Sequence, residues 1–444
     1  MFYSSTLFFF LIIMTYLLLK RYRNNLDVII FIISVFFVGA VVPFIFNHYL
    51  DLFTESSLIV NNILCLNIFI FYLLVWWIIK PSSQLRLFSE VKIVLFNASR
   101  RNIVAIPAVI RNFFMIIYVI VNLIIFFSNS AFGLDESRAE SWNEVVAISS
   151  TEGAGFQGLI SLLVSGLFFV SVYEGFQSRS VRTKYWTFIF FCFNQLISIL
   201  TAILYGVHRS PVIFELIFLV IVYHFYYRRI KLRMLKIGSL VFILLLPFYF
   251  SLTAYIRAGS FDSVTREDIS VLHGLSGLST SLEFVDLFDR LRVGELHYEF
   301  GKQFVYNTIS FIPRVIWKEK PHTSFSFRKS TEIYGEMGVD GWVHTYTVWG
   351  EGYSQFGLSG TVMATLSLFF LITLFLNISL RFPVYSFIIL KVLILKFPIL
   401  LRADLSTFFG NSYRVIFSIL FVWFIKKIIS SFAVQIRQIK TKNI

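Results

Sequence analysis

The chain has 444 residues, 57% of them hydrophobic and 14% charged, with 54 phenylalanines and a formal net charge of +14. A soluble domain runs nearer about 45–50% apolar and about 25% charged, so this composition excludes an ordinary soluble globular protein and points to a bilayer as the solvent. Its two cysteines, Cys65 and Cys192, stand in apolar runs far apart, which excludes a disulfide framework and a CxxC metal or redox pair.

Long apolar stretches bounded by charges predict eleven membrane spans, at 2–19, 27–46, 58–79, 103–128, 156–173, 185–205, 212–227, 237–255, 353–376, 384–400 and 415–434. The first has no basic residue before it, so it lacks the start of a cleavable signal peptide and is expected to be retained. Its basic flank, Lys20, Arg21 and Arg23, follows it. Placing that flank in the cytoplasm puts the N-terminus outside and the C-terminus inside. The short loops at 80–101, 179–184 and 228–236 then carry the basic bias expected of the cytoplasmic side. Of the 25 acidic residues, 21 fall in segments assigned outside. The net positive charge is therefore a topological signature, and no basic stripe interleaved with aromatics stands in a soluble segment to suggest nucleic acid.

The expected fold is an all-α polytopic membrane protein with one large outside loop. Residues 1–256 hold eight spans, 257–351 form the loop, and 352–444 hold three spans and a basic tail. With 13 acidic and 10 basic side chains, the loop is far longer than an ordinary connector, and loops of that length are usually functional. Within it, Ser281 can cap a helix over 282–293 with Leu282, Val285, Phe288 and Leu291 on one stripe and Gly294 as its stop, lying along the membrane surface. The apolar stretch 304–312 is too short to cross and ends at Pro313, which predicts an interfacial or re-entrant segment.

Basic residues outside are not explained by orientation. Arg209 follows the sixth span, Arg257 ends the eighth, and Arg402 and Arg414 flank the expected loop between the tenth and eleventh. A guanidinium stays charged and offers a planar fork to phosphate oxygens, so such a ring fits a diphosphate at the outer headgroups. Anchoring to lipid phosphates is the competing reading. Arg314 and Lys320 lie with Trp317 between Pro313 and Pro321, which predicts a rigid basic hairpin or an interfacial turn anchored by the tryptophan. Further on, Trp342, Tyr346, Trp349 and Tyr353 surround His344 and Glu351, a pattern that suits sugar rings or an aromatic belt. There is no DxD, HExxH or P-loop motif and no histidine cluster, so neither a metal nor a cofactor is expected.

The motifs Gly206-x-x-Arg209-Ser-Pro, Arg257-x-Gly259, Ile312-Pro-Arg314-x-x-Trp317-x-x-Lys320-Pro321 and Glu351-Gly-Tyr353-x-x-Phe356-Gly357-x-x-Gly360 resemble those of the Wzy-type oligosaccharide repeat-unit polymerases, which include O-antigen polymerases. An Arg-x10-Gly pattern described in some of them is matched by Arg290 and Gly301. The resemblance implies a multi-pass protein of the bacterial inner membrane with a GT-C-like fold, joining undecaprenyl-diphosphate-linked oligosaccharides on the periplasmic face without metal. It also implies membrane lipid around the chain and a chain-length regulator as a candidate partner.

Under that reading Arg209, Arg257, Arg314, Lys320, Arg402 and Arg414 stabilise the departing diphosphate, and His344 is the expected general base for the acceptor hydroxyl, with Glu351 or Asp404 as alternatives. An O-antigen ligase would share the donor and the arginines. A lipid-linked oligosaccharide flippase would instead place its cations along a transmembrane cavity and needs no large outside loop.

Overall fold

Hydrocarbon offers no water to a free backbone group, so a chain this apolar must close its hydrogen bonds within helices. The computed structural model describes residues 2–21, 35, 54–78, 106–131, 152–204, 215–216, 218–220, 222–224, 281–309, 312, 317, 319–321, 324–335, 346–389, 401 and 403–442, and contains no strand among them. Its helices are α1 (Phe2–Arg21), α2 (Glu55–Ile78), α3 (Ala108–Ala131), α4 (Glu152–Gln177), α5 (Val181–Leu204), α6 (Ser281–Val293), α7 (Lys302–Ile309), α8 (Phe325–Tyr334), α9 (Val348–Phe356), α10 (Leu358–Arg381), α11 (Ser386–Ile389) and α12 (Leu405–Lys442). Among the described residues three stretches are long and apolar enough to cross a membrane, Glu55–Trp77, Leu358–Ser379 and Leu405–Phe432. Helices also stand at the first, fourth, fifth and sixth predicted spans. The spans expected at 27–46 and 237–255, and most of those at 212–227 and 384–400, lie outside the described residues.

The helices share two ends. At one, Lys426 of α12 pairs with Glu174 of α4, which also accepts the Ile106 N–H at 2.8 Å. At the other, Ser56 at the start of α2 donates to Asp289 of α6, and Arg292 lies 3.5 Å from Glu55. The stretch of α12 between Leu405 and Lys426 rises roughly 32 Å at about 1.5 Å per residue, close to the ~30 Å of a hydrocarbon core. Lys426 and Glu174 thus share one end of the described helices, and Glu55, Ser56, Asp289 and Arg292 share the other.

Aromatic rings fill the centre: Phe169, Phe191 and Phe387 each meet Phe218 edge to face at 5.5–6.1 Å. A buried polar chain fixes the rotation of the helices that carry the loop. Trp349 Nε1 donates to Thr365 Oγ1 at 2.9 Å, Thr365 donates to Asn67 Oδ1 at 2.7 Å, and Asn67 Nδ2 donates to Thr361 Oγ1 at 3.0 Å.

Two predicted boundaries move. The ninth span was expected to begin at 353, but the chain breaks at Gly357 (φ +61°), which ends α9 before α10 begins. The eleventh was expected at 415, but α12 begins at Leu405. Ser406, Thr407, Asn411 and Ser412 read as loop residues, yet Asn411 and Ser412 donate back to the carbonyls of Thr407 and Phe408 at 2.9 Å and so are accommodated in helix. Arg414 therefore lies in the third turn of α12, exposed, and not at a loop edge. The helix expected at 282–293 is present and ends at Gly294 (φ +80°), though its buried face is Phe284, Leu287, Phe288 and Leu291 with Val285 only partly covered.

At the Gly357 elbow the backbones of α9 and α10 touch. A Cβ at Gly360 would lie 1.9 Å from the Gly352 carbonyl oxygen, and one at Gly352 would lie 2.5 Å from the Gly360 oxygen. Backbone cannot step aside as a side-chain tip can. Gly352→Ala and Gly360→Ala should each cost about 1–3 kcal/mol or more by overpacking, read as a lower Tm for detergent-purified protein. Unchanged melting in both would mean the contact is not so close.

Candidate functional site

The site is built where α7, α8, α9 and α12 meet over the end of the bundle that carries the loop. Helix α9 is capped by Thr347, whose hydroxyl accepts the Gly350 N–H at 2.9 Å, and its first turn points Glu351 inward. The Glu351 side chain is 1% exposed. Its Oε1 accepts from Asn307 Nδ2 at 2.7 Å, and its Oε2 accepts the Leu405 N–H, the first of α12. Burial, and next the charge of Asp404, push the Glu351 carboxyl well above the usual carboxylate range, and the two donors only partly offset them.

Asp404 is the N-cap of α12. Its Oδ1 accepts the Thr407 N–H at 2.9 Å together with the Thr407 hydroxyl. Its Oδ2 accepts the Ser324 hydroxyl at 2.8 Å and the Ser326 N–H at 3.1 Å. Ser324 is itself the N-cap of α8 and accepts the Phe327 N–H at 3.3 Å. One carboxylate thus sits at two helix N-termini, where their positive ends favour it.

Beside this pair lies a polar cluster that sequence reading missed. Helix α7 turns Gln303 and Asn307 to one face, α9 turns Glu351 and Gln355 to the opposing one, and both spacings are one helical turn. Gln355 Oε1 accepts the Gln303 N–H at 3.1 Å, while its Nε2 donates to Glu299 Oε2 at 2.9 Å. Arg328 Nη2 reaches Glu299 Oε2 at 2.9 Å, and Lys329, 2% exposed, reaches Glu299 Oε1 at 3.2 Å and Glu332 at 2.7 Å. Burial alone would raise Glu299, but hydrogen bonds from Arg328 and Gln355 and the charges of Lys329 and Arg328 outweigh it, and the carboxyl is held below its ordinary range. The signal available in sequence was the i, i+4 pairing of Gln303 with Asn307. It is hidden when 304–312 is read only as an apolar run.

Of the residues singled out from sequence, Glu351 and Asp404 come together at the start of α12. Lys320 closes a turn with Trp317, its N–H meeting the Trp317 carbonyl at 3.2 Å, and its ammonium donates to the Ile312 carbonyl at 2.8 Å. Next to the exposed Arg414, Tyr413 donates to the Thr308 carbonyl at 3.1 Å, which docks α7 on α12. Arg290, expected from its spacing to Gly301, is taken up by Asp286 at 3.0 Å and Glu295 at 3.1 Å. His344, Arg209, Arg257, Arg314 and Arg402 lie outside the described residues. Of the aromatic residues expected to face a sugar or form a belt, Trp342 lies outside the described residues and the other three are packed inward. Tyr346 is fully buried against Phe325, Trp349 is bonded to Thr365, and Tyr353 packs on Phe284 and Phe288. Among the described residues no group of three His, Cys, Asp or Glu could hold a metal.

Linkage gives the sign of one consequence. The folded protein holds the Glu351 proton more tightly than the unfolded chain, so this contribution to stability is complete below the ordinary carboxylate pKa and is lost as pH rises through the elevated folded value. The wild-type Tm should therefore fall with rising pH relative to that of Glu351→Gln, which does not titrate there. Parallel Tm–pH curves for the two would show that Glu351 is not pushed upward.

No protein-family model, no characterised protein and no solved structure matches this chain.

Proposed function

We propose that the protein is a glycosyltransferase of the bacterial inner membrane that polymerises undecaprenyl-diphosphate-linked oligosaccharide repeat units on the periplasmic face, where its N-terminus and the 257–351 loop lie, with the C-terminus in the cytoplasm. The observation that carries this reading is the Glu351 carboxyl, buried at the outer-loop end of the bundle with a raised proton affinity. A general base works best with a pKa near the working pH, and burial beside a second carboxylate moves a glutamate in that direction.

In the reaction, the hydroxyl oxygen of the acceptor sugar forms a bond to the anomeric carbon of the donor glycan. The bond from that carbon to the diphosphate oxygen breaks and its electron pair leaves with the diphosphate. The hydroxyl proton passes to Glu351. Charge developing on the leaving group requires cations, the role proposed for Arg209, Arg257, Arg314, Lys320, Arg402 and Arg414. Glu351 is favoured over Asp404 as the base because Asp404 spends both its oxygens on four donors that hold two helices. His344, the base expected from sequence, lies outside the described residues, and His344→Gln set beside Glu351→Gln decides between them.

The test is purified protein in nanodiscs with defined undecaprenyl-diphosphate-linked repeat units and no added metal or nucleotide. A ladder of products differing by one repeat unit is expected. Transfer of a single glycan to lipid A-core without a ladder would make it a ligase. Transbilayer movement of the lipid-linked glycan without bond formation would make it a flippase.

A further inference from the structure

Three side chains link the surface of the cluster to Glu351, and every bond in the series points the same way. Arg328 Nη2 donates to Gln303 Oε1, Gln303 Nε2 donates to Asn307 Oδ1 at 2.8 Å, and Asn307 Nδ2 donates to Glu351 Oε1 at 2.7 Å. An amide can be turned end for end at almost no cost in shape, exchanging donor for acceptor, so its orientation must be imposed by a neighbour. Only one member of the series has no choice. Arginine has no acceptor, so it fixes the oxygen of Gln303 toward itself, which leaves Gln303 its N–H for the oxygen of Asn307 and leaves Asn307 its N–H for Glu351. Reversing either amide would set oxygen against oxygen at one end and N–H against N–H at the other. Gln303 and Asn307 are fully buried, so water does not repair such a mismatch.

We infer that Arg328 is a positioning residue: acting through the amides of Gln303 and Asn307, it orients a donor onto Glu351 and so selects the ionised form of that carboxylate. The inference rests on the reading of Glu351 as the base. Arg328 also bonds Glu299 at 2.9 Å and lies 5.0 Å from the Tyr306 ring, which hold its guanidinium in place.

Other charges face the same carboxyl. Asp404, before α12, and Glu299, before α7, both oppose ionisation of Glu351, and Glu299 is itself balanced by Arg328 and Lys329 of α8. Helices α6 and α10 meet α9 through Phe284, Gly360, Ala364 and Thr365, which carry no charge. The Leu405 N–H is the other donor. The amide series is thus the part of the surroundings that a substitution can reverse while both opposing carboxylates stay in place.

The experiment is an infrared pH titration of the full-length protein in nanodiscs, following the protonated-carboxyl stretch that Glu351→Gln removes, alongside the pH profile of ladder formation. Gln303→Leu cuts the series while leaving Asn307 beside Glu351. Gln303→Glu keeps the shape but provides no donor and adds a negative charge, so Asn307 must turn its N–H toward the new carboxylate and its oxygen toward Glu351, and the turned amide and the added charge both oppose ionisation of Glu351. Both should raise the Glu351 midpoint by roughly 1–2 pH units, the size of a hydrogen bond to a charged group, and move the acid limb of the ladder profile upward with it. Arg328→Lys, whose ammonium is also donor-only, should leave the midpoint within a few tenths of a unit.

A Glu351 midpoint equal to wild type in both Gln303 variants would overturn the inference, whatever happened to the rate. Since Gln303→Leu can fail to fold, a wild-type midpoint in folded Gln303→Glu is enough by itself to overturn it. A midpoint that moves while the ladder profile stays put would leave the positioning role standing and remove Glu351 as the base.

Discussion

Glu351→Gln should abolish the product ladder while folded protein still purifies, with a lowered Tm. Losing a general base costs about 10²–10⁴-fold in rate; the carboxamide keeps the volume of the buried carboxyl, but its N–H must face either the Asn307 amide or the Leu405 N–H, a mismatch of about 1–3 kcal/mol, so a ladder lost in protein that melts cooperatively belongs to the chemistry. Binding of the lipid-linked donor should change little, because the proposed cations are untouched. The companion variants decide the assignment. A ladder lost in His344→Gln but kept in Glu351→Gln would move the base to His344. A ladder kept in both would leave Asp404.

Asp404→Ala should behave in the opposite way, failing as a protein before it fails as an enzyme. The substitution strips the acceptor from the Ser324 and Thr407 hydroxyls and from the N–H groups of Ser326 and Thr407 at once. One lost helix cap costs about 0.5–2 kcal/mol and each buried donor left unsatisfied about 1–3, so a loss on the order of 3–5 kcal/mol follows once partial relaxation is allowed. That is a large share of an ordinary folding free energy. The expected result is a fall of many degrees in Tm and little folded protein. Asp404→Asn, which keeps one acceptor oxygen, should lie between. Full accumulation of Asp404→Ala with no ladder would show that the carboxylate serves the reaction and not the two helix ends.

What could be read from the sequence was what local pattern and burial decide. Leu282, Val285, Phe288 and Leu291 recur at helical spacing before Gly294, so α6 was predicted within one residue, although the face it buries runs through Phe284 and Leu287 as well. Glu351 was singled out as the acid set with His344 among Trp342, Tyr346, Trp349 and Tyr353. The start of α12 was missed because Ser406, Thr407, Asn411 and Ser412 look like a loop until their side chains are seen bonding back to the helix or to its cap. That error placed Arg414 at a mouth instead of in the third turn. The inward packing of Tyr346 and Trp349 depended on partners, Phe325 and Thr365, whose proximity no local pattern announces. The amide series was invisible for a deeper reason. Which way Asn307 faces is decided by Arg328, on another helix, and composition says nothing of orientation.

The elbow at Gly357 sets a height. With backbone resting on backbone between Gly352 and Gly360, no rotamer can lengthen or shorten the joint, and Glu351 stands a fixed number of residues above the first apolar turn of α10. The hydrophobic length of α10 settles its depth in lipid, so the same length settles how far the carboxyl stands from the headgroup plane. A soluble enzyme measures its substrate with pocket walls. Here the lipid itself would be the ruler: a substrate tethered by its own lipid tail carries its reacting bond at one distance from that plane, and the elbow holds the carboxyl at one distance too. Lengthening or shortening α10 by a turn would therefore misplace the carboxyl by about 5.4 Å without changing a single residue of the site.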